Sequence, residues 1–125
     1  MNNRQIVENF WKTMADNDFY EASRLLHDDY TLLWPQSGEH IHGRDNFAAI
    51  NTHYPTEGKW EFTINNILAQ GDLVVTDVTV TDGTRVDRVI TFSTIRDESI
   101  WKQVEFWPES FEAPAWRAKW VVRFE

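Results

Sequence analysis

Four polar residues interrupt an otherwise apolar alternation in the second half of the chain, and all four are types that move protons or steady charge. Asp77, Arg88, Gln103 and Glu105 fall on the segments 73–81, 85–95 and 100–107. These alternate at period two, as half-buried strands do, and follow a first such segment at 59–68. Short breaks at Gln70-Gly71, Asp82-Gly83 and Asp97-Glu98 suit hairpins, so the four segments predict an antiparallel meander. Turning each hairpin on its two central residues sets Arg88 directly opposite Asp77, with Gln103 and Glu105 on the same face. Two carboxylates then flank one guanidinium. Burial disfavours unpaired charge, so these groups either pair with each other or reach a solvated cavity. Paired, they are an ion network that fixes strand register. Facing a cavity, Asp77 or Glu105 is a general base, and Arg88 orients it or stabilises a developing oxyanion.

The same register assigns Trp60, Phe62, Ile64, Leu73, Val75, Val86, Ile90, Phe92, Trp101 and Trp107 to the inner face, which must be covered by helices. The outer face receives Glu61, Thr63, Thr76, Arg85, Asp87, Thr91 and Lys102, together with a cluster of Val78, Val80, Val89, Val104 and Phe106. An exposed patch of that kind predicts a homodimer through the outer sheet face.

The cover comes from the first half. Ile6, Val7, Phe10, Trp11 and Met14 form one helical stripe that Asn2 or Asn3 can cap. Asp18 with Glu21 three later resembles a capping box for a short helix through Phe19, Ala22, Leu25 and Leu26. Tyr30 to Trp34, the turn Pro35-Gln36-Ser37-Gly38 and His40-Ile41-His42 predict a small hairpin. Arg44 to Tyr54 predicts a third helix with Phe47, Ile50 and Tyr54 on its apolar stripe, stopped by Pro55. The tail 109–125 reads as a loop and a short element, with Trp116 and Trp120 at i, i+4 placed to close a pocket or a dimer interface.

Trp34 and Trp107, at strand ends facing the helices, are candidate walls for a flat apolar ligand, with Tyr54 and Gln103 as further contacts. His42 either points into the pocket mouth beside Trp34, where an acid or base would be useful, or is an exposed hairpin histidine. His40-x-His42 has metal-ligand spacing but no accompanying ligand motif, so no metal is assigned. Without a Gly-rich phosphate loop, no cofactor is expected either.

Composition bounds the setting. A chain of 125 residues predicts a single domain, 1–125. Seven Trp, eight Phe and three Tyr argue for a packed core, and 12 basic against 20 acidic residues leave a net charge of −8 that repels nucleic acid. With no Cys and no apolar run of membrane-spanning length, a cytoplasmic protein with no membrane partner is the expectation.

Helices followed by a curved antiparallel sheet, with the stretch WPQSGEHIHGRDNF at 34–47 as a strand, turn and helix entry, resemble the NTF2-like superfamily, nearest its SnoaL-like branch. The resemblance implies an α+β cone in which a strongly curved antiparallel sheet wraps around N-terminal helices, with an apolar pocket and dimers through the sheet. Its members include ketosteroid isomerase, limonene epoxide hydrolase, polyketide cyclases, scytalone dehydratase and non-enzymatic binding modules. It implies a small, largely apolar, cyclic or aromatic ligand, with cofactor-free proton transfer of the isomerase, cyclase or dehydratase kind, or hydrolysis. A non-catalytic ligand-binding or dimerisation module is the alternative, and the sequence leaves the choice open. Trp34 stands where isomerase-like members hold a general-base Asp, and Pro108 where cyclase members hold an acid/base Asp. Chemistry by those two residues is not expected.

Overall fold

The computed structural model describes residues 1–124. Asn2 caps α1 (Asn3–Met14) in a full capping box, taking the Gln5 N–H while the Gln5 side chain accepts the Asn2 N–H. Its stripe of Ile6, Val7, Phe10, Trp11 and Met14 is buried. Asn17, in the left-handed region at φ 60°, ends this helix and then locks onto Trp60, donating to its carbonyl and accepting its N–H at 2.8 Å each. Asp18 caps the short α2 (Phe19–Ser23) through the Glu21 N–H. The predicted hairpin is β1 (Leu26–Trp34) with β2 (Glu39–His42), and α3 (Arg44–His53) stops before Pro55.

The meander is β3 (Glu61–Gln70), β4 (Leu73–Thr81), β5 (Val86–Arg96) and β6 (Ser99–Phe106). It joins the first hairpin through a parallel β1–β6 pairing, giving one six-stranded sheet in the order β2-β1-β6-β5-β4-β3. One face of this sheet packs on α1 and α3, so the molecule is an α+β cone, as the resemblance implies.

The phase of the central hairpin differs from the period-two reading. Asn65 on β3 and Trp101 on β6 are bulge residues, each an extra residue that its partner strand does not match. One inserted residue shifts the pleat by one position, and one position is a change of face. Two bulges therefore turn β4 and β5 over together relative to Trp60 and Phe62 at one side and Gln103 and Glu105 at the other. Val78, Val80 and Val89, expected in an outer cluster, are in the core, along with Val74, Thr76, Thr91 and Ser93. Leu73, Val75, Val86, Ile90 and Phe92 face outward instead, beside Val104 and Phe106. The outer face is still apolar, but as a row of neighbours across the strands: Leu33, Val104, Phe92, Val75 and Leu68.

The segment between α3 and β3 is held by one side chain. Asp82, in the β4–β5 turn, accepts the N–H groups of Glu57, Thr84 and Arg85 at 2.9–3.0 Å. Gly58 lies so close beneath that turn that a Cβ would sit 2.8 Å from the Asp82 carbonyl oxygen, so only glycine fits. Among the described residues no helix is long and apolar enough to cross a membrane. In the tail, residues 115–120 form a 3₁₀ helix whose three-residue turn sets Trp116 and Trp120 about 120° apart, and both rings are exposed. Neither ring lines the interior of the cone or the cleft at its mouth.

The bulge-shifted phase makes a stability prediction. Val78 is fully buried and Val86 is 69% exposed. Val78→Ala should cost about 2 kcal/mol in urea unfolding, and Val86→Ala no more than about 0.5 kcal/mol. The unshifted register predicts the opposite order.

Candidate functional site

Among the described residues Glu105 is the only carboxylate lining the interior of the cone, and it is 8% exposed. Burial of an anion demands donors, and three neutral groups supply them. Trp34 Nε1 and Trp107 Nε1 both donate to Oε1, at 3.0 and 2.8 Å, and Thr91 Oγ1 donates to Oε2 at 2.8 Å. The sheet places each one. Thr91 lies directly opposite Glu105 across the β5–β6 ladder, Trp34 ends β1 beside β6, and Trp107 follows β6. The Trp107 backbone N–H is in turn held by Gln36 Oε1 at 2.5 Å. No Lys, Arg or His bonds Glu105 among the described residues.

Behind it runs a second polar row. Tyr30 donates its hydroxyl to Gln103 Oε1 at 2.5 Å, and Gln103 Nε2 donates to Ser93 at 3.1 Å. Burial, helped by the negative charge of Glu105, pushes the Tyr30 phenol well above its ordinary value, so it stays a donor. Gln103, 2% exposed, supports the site from within the sheet and does not line a cavity.

The rest of the wall is aromatic. The interior cavity, about 30 Å³, is bounded by rings that include Phe10, Trp11, Trp60 and Phe62. That is the space of one water molecule. It adjoins a cleft of about 960 Å³ at the mouth of the cone. Trp34, Tyr54, Glu105 and Trp107 line both spaces, so the carboxylate sits where interior and mouth meet. Tyr54 is fixed between neighbours, stacked on Trp107 with centroids 6.2 Å apart and edge-on to Trp60 at 5.9 Å. Trp11 Nε1 is buried with no hydrogen-bond partner among the described residues, a donor on the wall of the interior cavity.

Of the residues singled out by spacing, the structure brings Trp34, Tyr54, Glu105 and Trp107 together, with Gln103 one layer behind. It does not bring Asp77, Arg88 or His42. The bulges carry Asp77 and Arg88 to the outer face, where Arg88 sits diagonally across from Asp77 and donates two bonds to it, Nε to Oδ1 at 2.6 Å and Nη2 to Oδ2 at 2.5 Å. Asn66 bonds Asp77 at 2.9 Å, and Asn65 bonds Thr79 at 2.8 Å. The Arg88 guanidinium first, then the two amides, hold the Asp77 carboxyl far below the ordinary range. This pair clamps the β3 bulge and stands outside the cone. His42 also faces out, because Ile41 takes the inward position on β2, and its ring packs on that of His40 at 3.9 Å. Thr91, Gln36 and Trp11 were not singled out by spacing. Thr91 and Ser93 share with Val89 and Ile95 the phase of β5 that carries no charge beyond Asp87 near the strand's start, whereas the other phase carries Arg88 and Arg96, and that difference is the signal that marks the inner face.

The SnoaL-like domain model matches residues 7–103. The chain belongs to the SnoaL-like family. A protein from Kribbella flavida, provisionally named a ketosteroid isomerase, is 28% identical over 98% of this chain and 90% of its own, with a TM-score of 0.88. An NTF-2-like protein of unknown function from Burkholderia xenovorans is also 28% identical, over 98% and 95%, with a TM-score of 0.79. An LEH-like epoxide hydrolase of M. tuberculosis, 21% identical over 85% and 82% with a TM-score of 0.69, shares the fold. None of the curated proteins matches significantly.

One titration tests how the Tyr54–Trp60 wall of this SnoaL-like site is held. The N–H groups of Glu57, Arg85 and Thr84 lower the Asp82 pKa to about 2. A depressed folded-state pKa means stability that is present above the unfolded value and lost as pH falls through the folded one. Asp82→Asn should therefore lower Tm at pH 6, and the gap to the parent should close between about pH 4 and pH 2. A gap that stays constant with pH would show that the carboxylate charge plays no part.

Proposed function

We propose that this SnoaL-like protein binds a small, largely apolar ligand at the mouth of the cone and that Glu105 accepts a proton from it. The observation that carries this reading is the position of Glu105: the one carboxylate of the cone interior among the described residues, fixed by two indole N–H groups and a hydroxyl where an aromatic wall opens to a ligand-sized cleft. Ligand sites are mostly apolar concavities of ~300–1,000 Å³ with a few fixed polar groups, and the cleft is of that size. A carboxylate held in one orientation beside an apolar ligand suits general-base chemistry, taking a proton from a carbon next to a carbonyl or from an attacking water. Trp11 Nε1 offers a donor to an oxygen of a ligand that reaches inward. The name of the Kribbella relative and the epoxide hydrolase fold neighbour supply two reaction types that use such a base.

A second reading, a binding module without turnover, is favoured by the small interior cavity, which leaves little room for a substrate beyond the mouth. The two separate in one experiment. Tryptophan fluorescence titrations with cyclic ketones, enones and aromatic epoxides identify binders, and each binder is then assayed for proton exchange or hydrolysis. Glu105→Gln should keep binding within a few-fold and lower turnover by about 10²-fold or more. Full turnover in Glu105→Gln would overturn the base assignment, and binding with no turnover in the parent would establish the module.

A further inference from the structure

The last ten described residues contradict the rest of the chain in charge and in exposure. Residues 115–124 contain Arg117, Lys119 and Arg123 and no acid, with the single acid Glu125 after them, in a protein whose net charge is −8. They also hold a run of exposed large apolar side chains: Trp116 at 73%, Trp120 at 69%, Val122 at 94% and Phe124 at 95%. Among the described residues no hydrogen bond or ion pair joins this arm to the body. Two of its three cations lie over their own neighbours' rings, Arg117 5.7 Å from the centroid of Trp116 and Lys119 4.5 Å from that of Trp120. Single exposed hydrophobics are ordinary, but a contiguous aromatic and aliphatic run is the mark of an interface.

The complementary surface is the cleft. Glu39, Glu105 and Glu109 line it with no Lys, Arg or His, beside the rings of Trp34, Tyr54, Trp107 and Phe111. Three cations against one acid, Glu125, on the arm meet three carboxylates with no cation in the cleft, and both surfaces are rich in aromatics. The arm's own chain does not use this match, since the 3₁₀ helix (Ala115–Trp120) leaves both indoles in solvent. The arm departs from the cleft's own rim at Phe111, so two copies placed rim to rim about a two-fold axis present each arm to the other's cleft. An anionic membrane is the poorer match, because it attracts the arm and repels the acidic body.

We propose that the C-terminal arm of one copy lies across the acidic, aromatic cleft of a second copy and reciprocally, so that each site is walled in part by its partner. The match is independent of the ligand and of the role of Glu105, and it is tested with neither. Sedimentation velocity over about 1–100 µM protein reads the association, and a rise from about 50 to 500 mM NaCl reads its charge dependence. The full chain should be a dimer at low salt that weakens about tenfold or more at high salt, with acrylamide quenching of Trp116 and Trp120 reduced in the dimer. A chain ending at Pro114 should be a monomer with unchanged far-UV circular dichroism. So should the full-length variant Arg117→Glu/Lys119→Glu/Arg123→Glu, and adding Glu39→Lys/Glu109→Lys to it should restore the dimer. A truncated chain that still dimerises would move the interface to the outer sheet face and overturn the proposal. So would a full chain that stays monomeric at the highest concentration, or a monomer whose arm instead carries it onto phosphatidylserine-containing vesicles.

Discussion

Two inserted residues decide what the inside of this cone is made of. Without Asn65 and Trp101 as bulges, the β4–β5 hairpin would present Asp77 and Arg88 to the helices and expose Val78, Val80 and Val89. With them, the hairpin presents valines, Thr76, Thr91 and Ser93, and the ion pair goes to water. The two arrangements are far apart in energy, since an inward Asp–Arg pair needs compensation for desolvation that an aromatic core does not supply. The bulges also raise local twist and bend, which a sheet needs in order to curl round α1. The Asp77–Arg88–Asn66 contacts sit beside the β3 bulge on the outer face, so the residues displaced by the bulge are the ones that hold it.

That phase gives Glu105 its company. A carboxylate at 8% exposure is tolerable only with donors in place, and Thr91 is one of them because the shift has brought β5's hydroxyls inward. The other two are indoles at strand ends, Trp34 and Trp107, whose rings contribute apolar wall while their N–H groups satisfy one oxygen. A salt bridge would have tied up the anion with a cation. Neutral donors leave its charge uncompensated, and the negative field reaches Tyr30 and, with Glu39 and Glu109, sets the sign of the whole mouth.

Local signals were legible because they act locally. The Asn2 and Asp18 caps, the Pro35–Gly38 turn and the Pro55 stop each depend on a few adjacent residues, and each stands where spacing puts it. Glu105 and Gln103 were placed inward correctly because they lie beyond the Trp101 bulge, in step with the strand end. Asp77 and Arg88 fall on the opposite face for one reason: which face a strand shows depends on the count of residues between pairing partners, and a bulge changes that count without a composition signal. His42 lies on the unbulged β2 and takes the exposed one of its two possible positions, since Ile41 points inward. Nothing about Asn65 or Trp101 distinguishes them from paired residues in one sequence. One clue was present. The phase Val74-Thr76-Val78-Val80 carries no charge, whereas Leu73-Val75-Asp77-Thr79 carries one, and a face free of charge is a better candidate for burial than a face with larger side chains. The parallel β1–β6 pairing was illegible for a different reason, since it joins segments separated by most of the chain.

The seven tryptophans show how far one residue type can be divided among jobs. Trp11 and Trp60 pack the core, though Trp11 leaves its N–H unpartnered on the interior wall. Trp34 and Trp107 act through their N–H groups on Glu105. Trp101 is a bulge residue whose ring lies under two cations, Arg96 at 4.7 Å and Lys102 at 4.3 Å. Trp116 and Trp120 stand in solvent on the basic arm. Only two of the seven are explained by filling a core, so aromatic content in excess of core need is here a matter of donors, cation faces and an uncovered surface. The division follows charge: indole N–H groups point to the acidic interior, and indole faces lie against cations on the exterior, which is the pairing that a ring with a negative face and a positive edge requires.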